Sequence, residues 1–283
     1  MDDSKIFIVG ANGQLGTALC EKYPNAKFAD VGELDITDLS SVEKFDWSGI
    51  DTILNAAAYT NVDGAETNGG RIAAWKVNAS AVANLTRVCT SHNMTLVHIS
   101  TDYVFDGEIH PHTEEEHFSP LGVYAQTKTA GDIICALTSK HYIIRTSWVI
   151  GEGNNFVRSI TGLARRNISP NVVADQFGRL TFTSELVRAI DFLLANHAPC
   201  GTYNVSNGGD VVSWADIARQ VYKDLGRDDL TVGDTTAAEY FAGKVSSPRP
   251  THSDLDMKKI TDLGFEPHDW RDDLKVYLNK ENL

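Results

Sequence analysis

The chain has 283 residues, 42% of them hydrophobic, which is enough apolar material for one large core or two modest ones. Acidic residues outnumber basic ones by 38 to 25, for a formal net charge of −13. With no basic run or stripe to neutralise phosphates, a general nucleic-acid or membrane-surface binder is excluded.

No apolar run reaches membrane-spanning length, and the acidic start "MDDSKIFIVG" is too short in apolar length for a signal peptide. The four cysteines (Cys20, Cys89, Cys135 and Cys200) form no CxxC pair and no cluster with histidine, so a cytoplasmic protein with reduced thiols is expected. "KIFIVG" (5–10) reads as a first strand, followed at once by glycines and the helical pattern "GQLGTALCEKY". "AKFAD" (26–30) and "DTILNAAAY" (51–59) read as the second and third strands. A helix is expected over 71–93, a strand at "TLVHIS" (95–100), a helix over 120–139 and a strand at "HYIIRTSWVI" (141–150). Strands alternating with helices predict an α/β fold, a Rossmann-type doubly wound parallel sheet covered on both faces.

Beyond residue 150 the alternation is less regular. "NNFVRSITGLARR", "FTSELVRAIDFLLANH" and "SWADIARQVYKDLG" read as helices, the last with Ser213 as N-cap, and "GTYNVSN" (201–207) as a strand. "SPRP" at 247–250 predicts a rigid loop. The expected organisation is a dinucleotide-binding domain over 1–150 and a smaller domain over 151–283, partly interleaved with the first. The second leans on the carboxyl edge of the sheet, where open α/β sheets hold ligands.

Gly10, Gly13 and Gly16 of "GANGQLG" stand between the first strand and the first helix. Glycine there permits a tight turn and close backbone approach, the helix N-terminus attracts a pyrophosphate, and Gly16 lets the helix pack on the sheet. Asp30 ends the second strand, where a carboxylate commonly holds adenosine ribose hydroxyls and favours NADH; the nearby Lys27 leaves NADPH open. Tyr124 precedes Lys128 by one helical turn, so the two share a helix face, and an ammonium beside a phenol lowers its pKa. The same spacing recurs at Tyr23–Lys27 and Tyr240–Lys244. Context selects the middle pair, because it follows the strand-end hydroxyls Ser100 and Thr101. Tyr23 precedes Pro24 in an expected surface turn, and Tyr240 follows no strand-end hydroxyl. His98 reads as a packed core histidine without a role.

"GANGQLG", "NAAAYTNVDGAE", "STDYVFDG", "SPLGVYAQTK", "RTSWVIGEGNNF", "DQFGRLTFTSEL" and "SSPRP" together resemble an extended short-chain dehydrogenase/reductase, and more narrowly the dTDP-4-dehydrorhamnose reductases, over essentially the whole chain. The resemblance implies that Thr101 binds the substrate carbonyl, Tyr124 donates the proton and Lys128 is its partner. It also implies cofactor contacts at Gly13, Gln14, Leu15, Asp30, Asp35, Ile36, Ala58, Tyr59 and Thr60. Asp102 and Trp148 match sugar-nucleotide contacts, and Arg249 matches the arginine of a late "RP" segment. Two departures stand out. Ala125 replaces a frequent glycine, and "TALCEKY" offers Ala18 and Cys20 where some relatives place an acidic ligand for a magnesium ion bridging a dimer. No metal is therefore expected, and a homodimer or a fusion with another rhamnose-pathway enzyme stays open.

The implied reaction is reduction of the C4 ketone of dTDP-4-dehydro-L-rhamnose to dTDP-L-rhamnose with NADPH or NADH. A dehydratase is disfavoured because Thr101-Asp102 is followed by Tyr103, not glutamate. An epimerase or another nucleotide-sugar reductase would use the same Tyr124/Lys128 pair. A non-catalytic cofactor-binding regulatory subunit would not need it.

Overall fold

Six short, mainly apolar runs pair into one parallel sheet in the structure, a computed structural model that describes residues 2–280. Met1 and residues 281–283, at the outer ends of the two expected domains, lie outside the described residues. Strands β1 (Ile6–Val9), β2 (Lys27–Ala29), β3 (Thr52–Asn55), β4 (Thr95–Thr101) and β5 (His141–Thr146) form the first part of the sheet. The strand Gly201–Asn204 pairs with β5, so a segment after residue 150 completes the N-terminal sheet. Across the sheet the order is Gly201–Asn204, β5, β4, β3, β1, β2. The chain leaves β1 toward β2 on one side and returns to β3 on the other, which makes the carboxyl ends of β1 and β3 the switch point where such sheets open a crevice.

Because both faces are covered, β1, β3 and most of β4 and β5 are buried along their length and read as continuous apolar runs. One face packs on helices α1 (Gln14–Lys22) and α7 (Thr183–Ala195), with Leu15, Leu19, Leu186, Ile190 and Leu193 filling the space above Ile8, Leu54 and Ile144. The other packs on α2 (Leu39–Lys44), α4 (Ala81–His92) and α5 (Val123–Cys135) through Val42, Leu85, Cys89 and Cys135. A separate apolar cluster joins α6 (Phe156–Arg165), α8 (Trp214–Asp224) and the helix Trp270–Lys280. Ser213 caps α8 as expected, in a reciprocal capping box with Asp216.

Three local departures from the sequence reading bear on the site. The helix expected over 71–93 is two helices, α3 (Asn68–Trp75) and α4, joined by one wide turn at Lys76–Ser80. Within that turn the Asn78 side chain reaches out to the backbone of Tyr59 and to the Thr127 hydroxyl. The strand expected over 141–150 breaks after Thr146, because Trp148 adopts a left-handed φ of 47°, rare for a bulky residue. Tyr23 does not sit in a surface turn: it is buried, and its hydroxyl donates to Asp191 at 3.1 Å.

Candidate active site

The turn after β1 needs its glycines for two separate reasons. Gly10 has φ +77°, and a Cβ there would lie 2.6 Å from the Ala57 nitrogen, so β1 and the β3 end touch at the backbone. A Cβ on Gly16 would lie 2.0 Å from the Gly10 carbonyl oxygen, so α1 is seated directly on the turn. Gly13 is the N-cap of α1 and supplies no side-chain partner to the first helical N–H groups.

A cavity of about 260 Å³ opens beside this turn, lined by Gly10, Gly13, Asp30, Asp35, Ile36 and Ala58. Asp30 accepts from the Asn12 and Val31 N–H groups, and the Thr37 hydroxyl and N–H hold the Asp35 carboxyl below its usual range. A second cavity, about 630 Å³, shares Gly13, Ala56 and Ala58 with the first and continues along the sheet edge. Its wall includes Gln14, Leu15, Thr60, Thr101, Asp102, Tyr124, Lys128 and Trp148. Two predicted cofactor positions line neither: Gly16 lies beneath the turn, and the Tyr59 ring packs with Ala65, Ala74, Val123 and Tyr124. Tyr59 is tied in through its backbone, which exchanges hydrogen bonds with Asn78 at 2.8 and 3.1 Å.

Thr101, Asp102, Tyr124 and Lys128 converge from two neighbouring elements, the end of β4 and the first turns of α5. The Thr101 hydroxyl donates to Asp102 at 2.9 Å and accepts from the Tyr103 N–H. Burial pushes the Asp102 carboxyl up to about 6, more than the Ser253 and Thr101 hydroxyls lower it. Lys128 is 1% exposed and donates to the Ile99 carbonyl at 2.6 Å. Burial draws it down to about 8, against the opposing pull of Asp132.

The expectation that Lys128 lowers the Tyr124 phenol is corrected. Burial, and then the Asp102 carboxylate, push Tyr124 above the ordinary tyrosine range, outweighing the Thr101 hydroxyl. The phenol is therefore protonated throughout the neutral range. Its ring meets Tyr103 edge-on, centroids 5.9 Å apart.

Trp148 stacks on Trp214 at 3.7 Å, and both indoles wall the large cavity. Gly178 leaves room for them, since a Cβ there would sit 3.0 Å from the Trp148 ring. Arg249, in the loop expected from "SPRP", is not free to meet a ligand alone. It pairs with Asp63 at 2.9 Å, donates to the Ser247 carbonyl and lies 4.3 Å over the Phe241 ring. It lines a further cavity of about 420 Å³, walled by Phe156, Ile160, Leu163 and Phe241, which meets the large one at Tyr103 and Trp214.

Sequence reading missed Trp214, Asn78 and Asn55; it placed His98 in the core, where the structure has it, and gave it no role. Asn55, at the end of β3, and His98, midway along β4, are buried polar groups, and a polar residue inside an apolar run was the available signal. The reading of no metal rested on Ala18 and Cys20. Elsewhere, Glu185, His268 and Asp273 bring ligand atoms within 4.8 Å of one another, but Glu185 is already paired with Arg188 and Asp273 with Asn207. Among the described residues no helix is long and apolar enough to cross a membrane.

Residues 4–283 match the family model described as the RmlD substrate binding domain. The spore coat polysaccharide biosynthesis protein SpsK of Bacillus subtilis (strain 168) is 34% identical, covering 99% of this chain and 98% of its own. The crystal structure of a dTDP-4-dehydrorhamnose reductase from Clostridium acetobutylicum ATCC 824 superposes with a TM-score of 0.90 at 34% identity, over 98% of this chain and 99% of that one. The Bacillus anthracis dTDP-4-dehydrorhamnose reductase, solved in complex with NADP, gives 0.87 at 32% identity over 97% of each chain. These matches run through the glycine turn, the strand-end hydroxyls and the tyrosine–lysine helix alike, and the chain belongs to the RmlD substrate binding domain family, NADP-binding oxidoreductases of nucleotide sugars.

Proposed function

We propose that the protein reduces the C4 ketone of dTDP-4-dehydro-L-rhamnose to dTDP-L-rhamnose, using NADPH or NADH. One observation carries the reading: the cavity beside Asp30 and the cavity holding Tyr124 and Lys128 share Gly13, Ala56 and Ala58. A dinucleotide is the ligand shape that uses both, and the bare backbone at Gly10 and Gly13 lets its pyrophosphate approach the N-terminus of α1. Gln14, Leu15, Asp35, Ile36, Ala58 and Thr60 would flank it, with Tyr59 acting through its backbone. A reduced nicotinamide bound there supplies the hydride.

The chain's own residues handle the proton. Tyr124, kept protonated by burial, donates to the carbonyl oxygen as negative charge builds there. Thr101 contributes a second donor to the same oxygen, which requires its proton to turn away from Asp102. Lys128 holds ribose hydroxyls and offers positive charge to the phenolate left behind. The Trp148–Trp214 stack and Asp102 would orient the sugar, and the apolar cavity beside Arg249 would receive the base and diphosphate. On this reading residues 1–150 hold the cofactor, and 151–283 mainly shape the substrate site.

The test is oxidation of NADH and NADPH against a panel of nucleotide 4-ketosugars varied in base and in sugar configuration, with the C4 configuration of the product assigned by NMR. Turnover with dTDP-4-dehydro-L-rhamnose is expected. Turnover confined to another ketosugar moves the substrate assignment, and oxidation of neither cofactor with any member refutes the reading.

A further inference from the structure

His98 lies on β4, wholly buried, with one ring nitrogen toward Asn55 and the other toward Lys128. Its tautomer follows from the neighbours. The Ala57 backbone N–H meets one atom of the Asn55 amide at 3.2 Å, and since an N–H only donates, that atom is the carbonyl oxygen. The other amide atom is therefore the NH₂ group, and it faces His98 Nδ1 at 3.1 Å. Nδ1 must accept, so a neutral imidazole carries its single proton on Nε2. That N–H faces Lys128 Nζ at 3.4 Å. The arrangement is tight: a Cβ on Gly131 of α5 would come 2.5 Å from the Asn78 carbonyl oxygen and 3.2 Å from His98 Nε2, so the ring edge lies close against the helix.

An N–H aimed at an ammonium is two donors facing each other, whereas an N–H aimed at a neutral amine is a hydrogen bond. We infer that His98, locked by Asn55 as its Nε2–H tautomer, is a positioning residue that sets the protonation of Lys128. The inference rests on the reading above, in which Lys128 serves the reaction. The other groups facing Lys128 do not account for a lowered ammonium. From α5, Asp132 and Cys135 both favour the charged form, and Arg145 on β5 is occupied by Asp132 at 3.0 Å. The Ile99 carbonyl accepts from Lys128 and also favours the charge, while Tyr124 is held protonated. Asp102, beyond the end of β4, adds an anion at the same site whenever it is ionised. Burial lowers Lys128, and among the described residues the His98 N–H at 3.4 Å is the one neighbouring group placed to oppose the charge in the same direction. His98 cannot escape by taking a second proton, because burial and the Lys128 charge hold it well below the usual histidine range.

The tautomer is read directly from long-range proton–nitrogen correlations on the full chain labelled with ¹⁵N-histidine, His98 being assigned by its loss in His98→Phe. Nδ1 should be bare and Nε2 protonated, with no titration between about pH 6 and 8. Asn55→Asp should move the proton to Nδ1. The Lys128 side-chain resonance, assigned by its loss in Lys128→Met, should titrate near 8. It should rise by about one pH unit in His98→Phe and in His98→Leu, since both remove the opposing N–H. A merely structural His98 would lower Tm and leave the Lys128 midpoint in place. A proton on Nδ1 of the wild type, or an unmoved Lys128 midpoint in folded variants, overturns the inference. If neither variant folds, the wild-type tautomer alone decides. Both readouts are independent of turnover, so normal turnover by Lys128→Met would sink the catalytic reading without touching this one.

Discussion

Tyr124→Phe removes one oxygen atom and leaves the ring. The ring packs with Val123, Ala65 and Ala74 and meets Tyr103 edge-on, contacts that phenylalanine keeps. Folding stability should therefore fall by less than about 1 kcal/mol, the net worth of an ordinary hydrogen bond. The rate should respond on a different scale. Loss of a general acid typically costs about 10²–10⁴-fold, which is about 3–5 kcal/mol in the barrier. Cofactor affinity should stay within a few-fold, because Lys128 is untouched. Lys128→Met should lower both turnover and cofactor affinity, and it strands the Ile99 carbonyl, so some stability is lost with it. The two pairs with the same spacing are controls of unequal quality. Tyr240 is 48% exposed, and its phenylalanine variant should behave as wild type. Tyr23→Phe gives up a bond to Asp191, so it should lose about 1 kcal/mol of stability while kcat stays within a few-fold. The assay is steady-state consumption of reduced cofactor, with fluorescence titration for its affinity and thermal unfolding for stability. Normal turnover by Tyr124→Phe, or an equal loss in a folded Tyr240→Phe, refutes the assignment of the proton donor.

Arg249→Ala should raise KM for the sugar nucleotide far more than for the cofactor, because it opens the wall of the cavity it shares with Phe241 and leaves Asp63 unpaired; equal changes in both would remove Arg249 from the substrate site. Asp30→Ala should shift the kcat/KM ratio toward NADPH, since the carboxylate lining the first cavity would repel a 2′-phosphate; an unchanged ratio means another residue reads that position. Asp102 is the group to follow with pH. Its carboxyl is raised in the fold from 3.8 to about 6, so its stabilising contribution is complete below 3.8 and lost as pH climbs through 6. That amounts to roughly 3 kcal/mol, and Asp102→Asn should therefore gain stability relative to wild type between pH 4 and pH 7. Denaturant titrations at the two pH values measure it, and a constant difference between the proteins would show that burial does not raise this carboxyl.

Much of the fold was legible because its signals are local. Apolar runs at "IFIV" and "LVHIS", glycines after the first strand and the serine before "WADIARQ" each act on their own few residues, and each appears where expected. The helix that carries Tyr124 and Lys128 is also local, since one turn of spacing puts both on one face. What lay beyond the sequence was the company each side chain keeps. Tyr23 reads as a turn residue beside Pro24 and is buried because α7, a distant segment, brings Asp191 to its hydroxyl. Arg249 reads only as the arginine of a rigid loop, and its ion pair exists because Asp63 comes to it from the loop after β3. Trp148 reads as the continuation of a strand, yet its backbone turns left-handed and its indole stacks on Trp214, contributed by a distant helix.

The sequence by itself determined the alternating elements, the parallel sheet and the positions of the glycine turn and the tyrosine–lysine pair, because backbone propensity and helical periodicity reach only a few residues. Tertiary structure alone decided which nitrogen of His98 carries the proton, that burial raises Tyr124 while lowering Lys128, and which charges are already spent on each other. Those properties depend on desolvation and on donors and acceptors within about 3–4 Å, contributed by segments far apart in the chain.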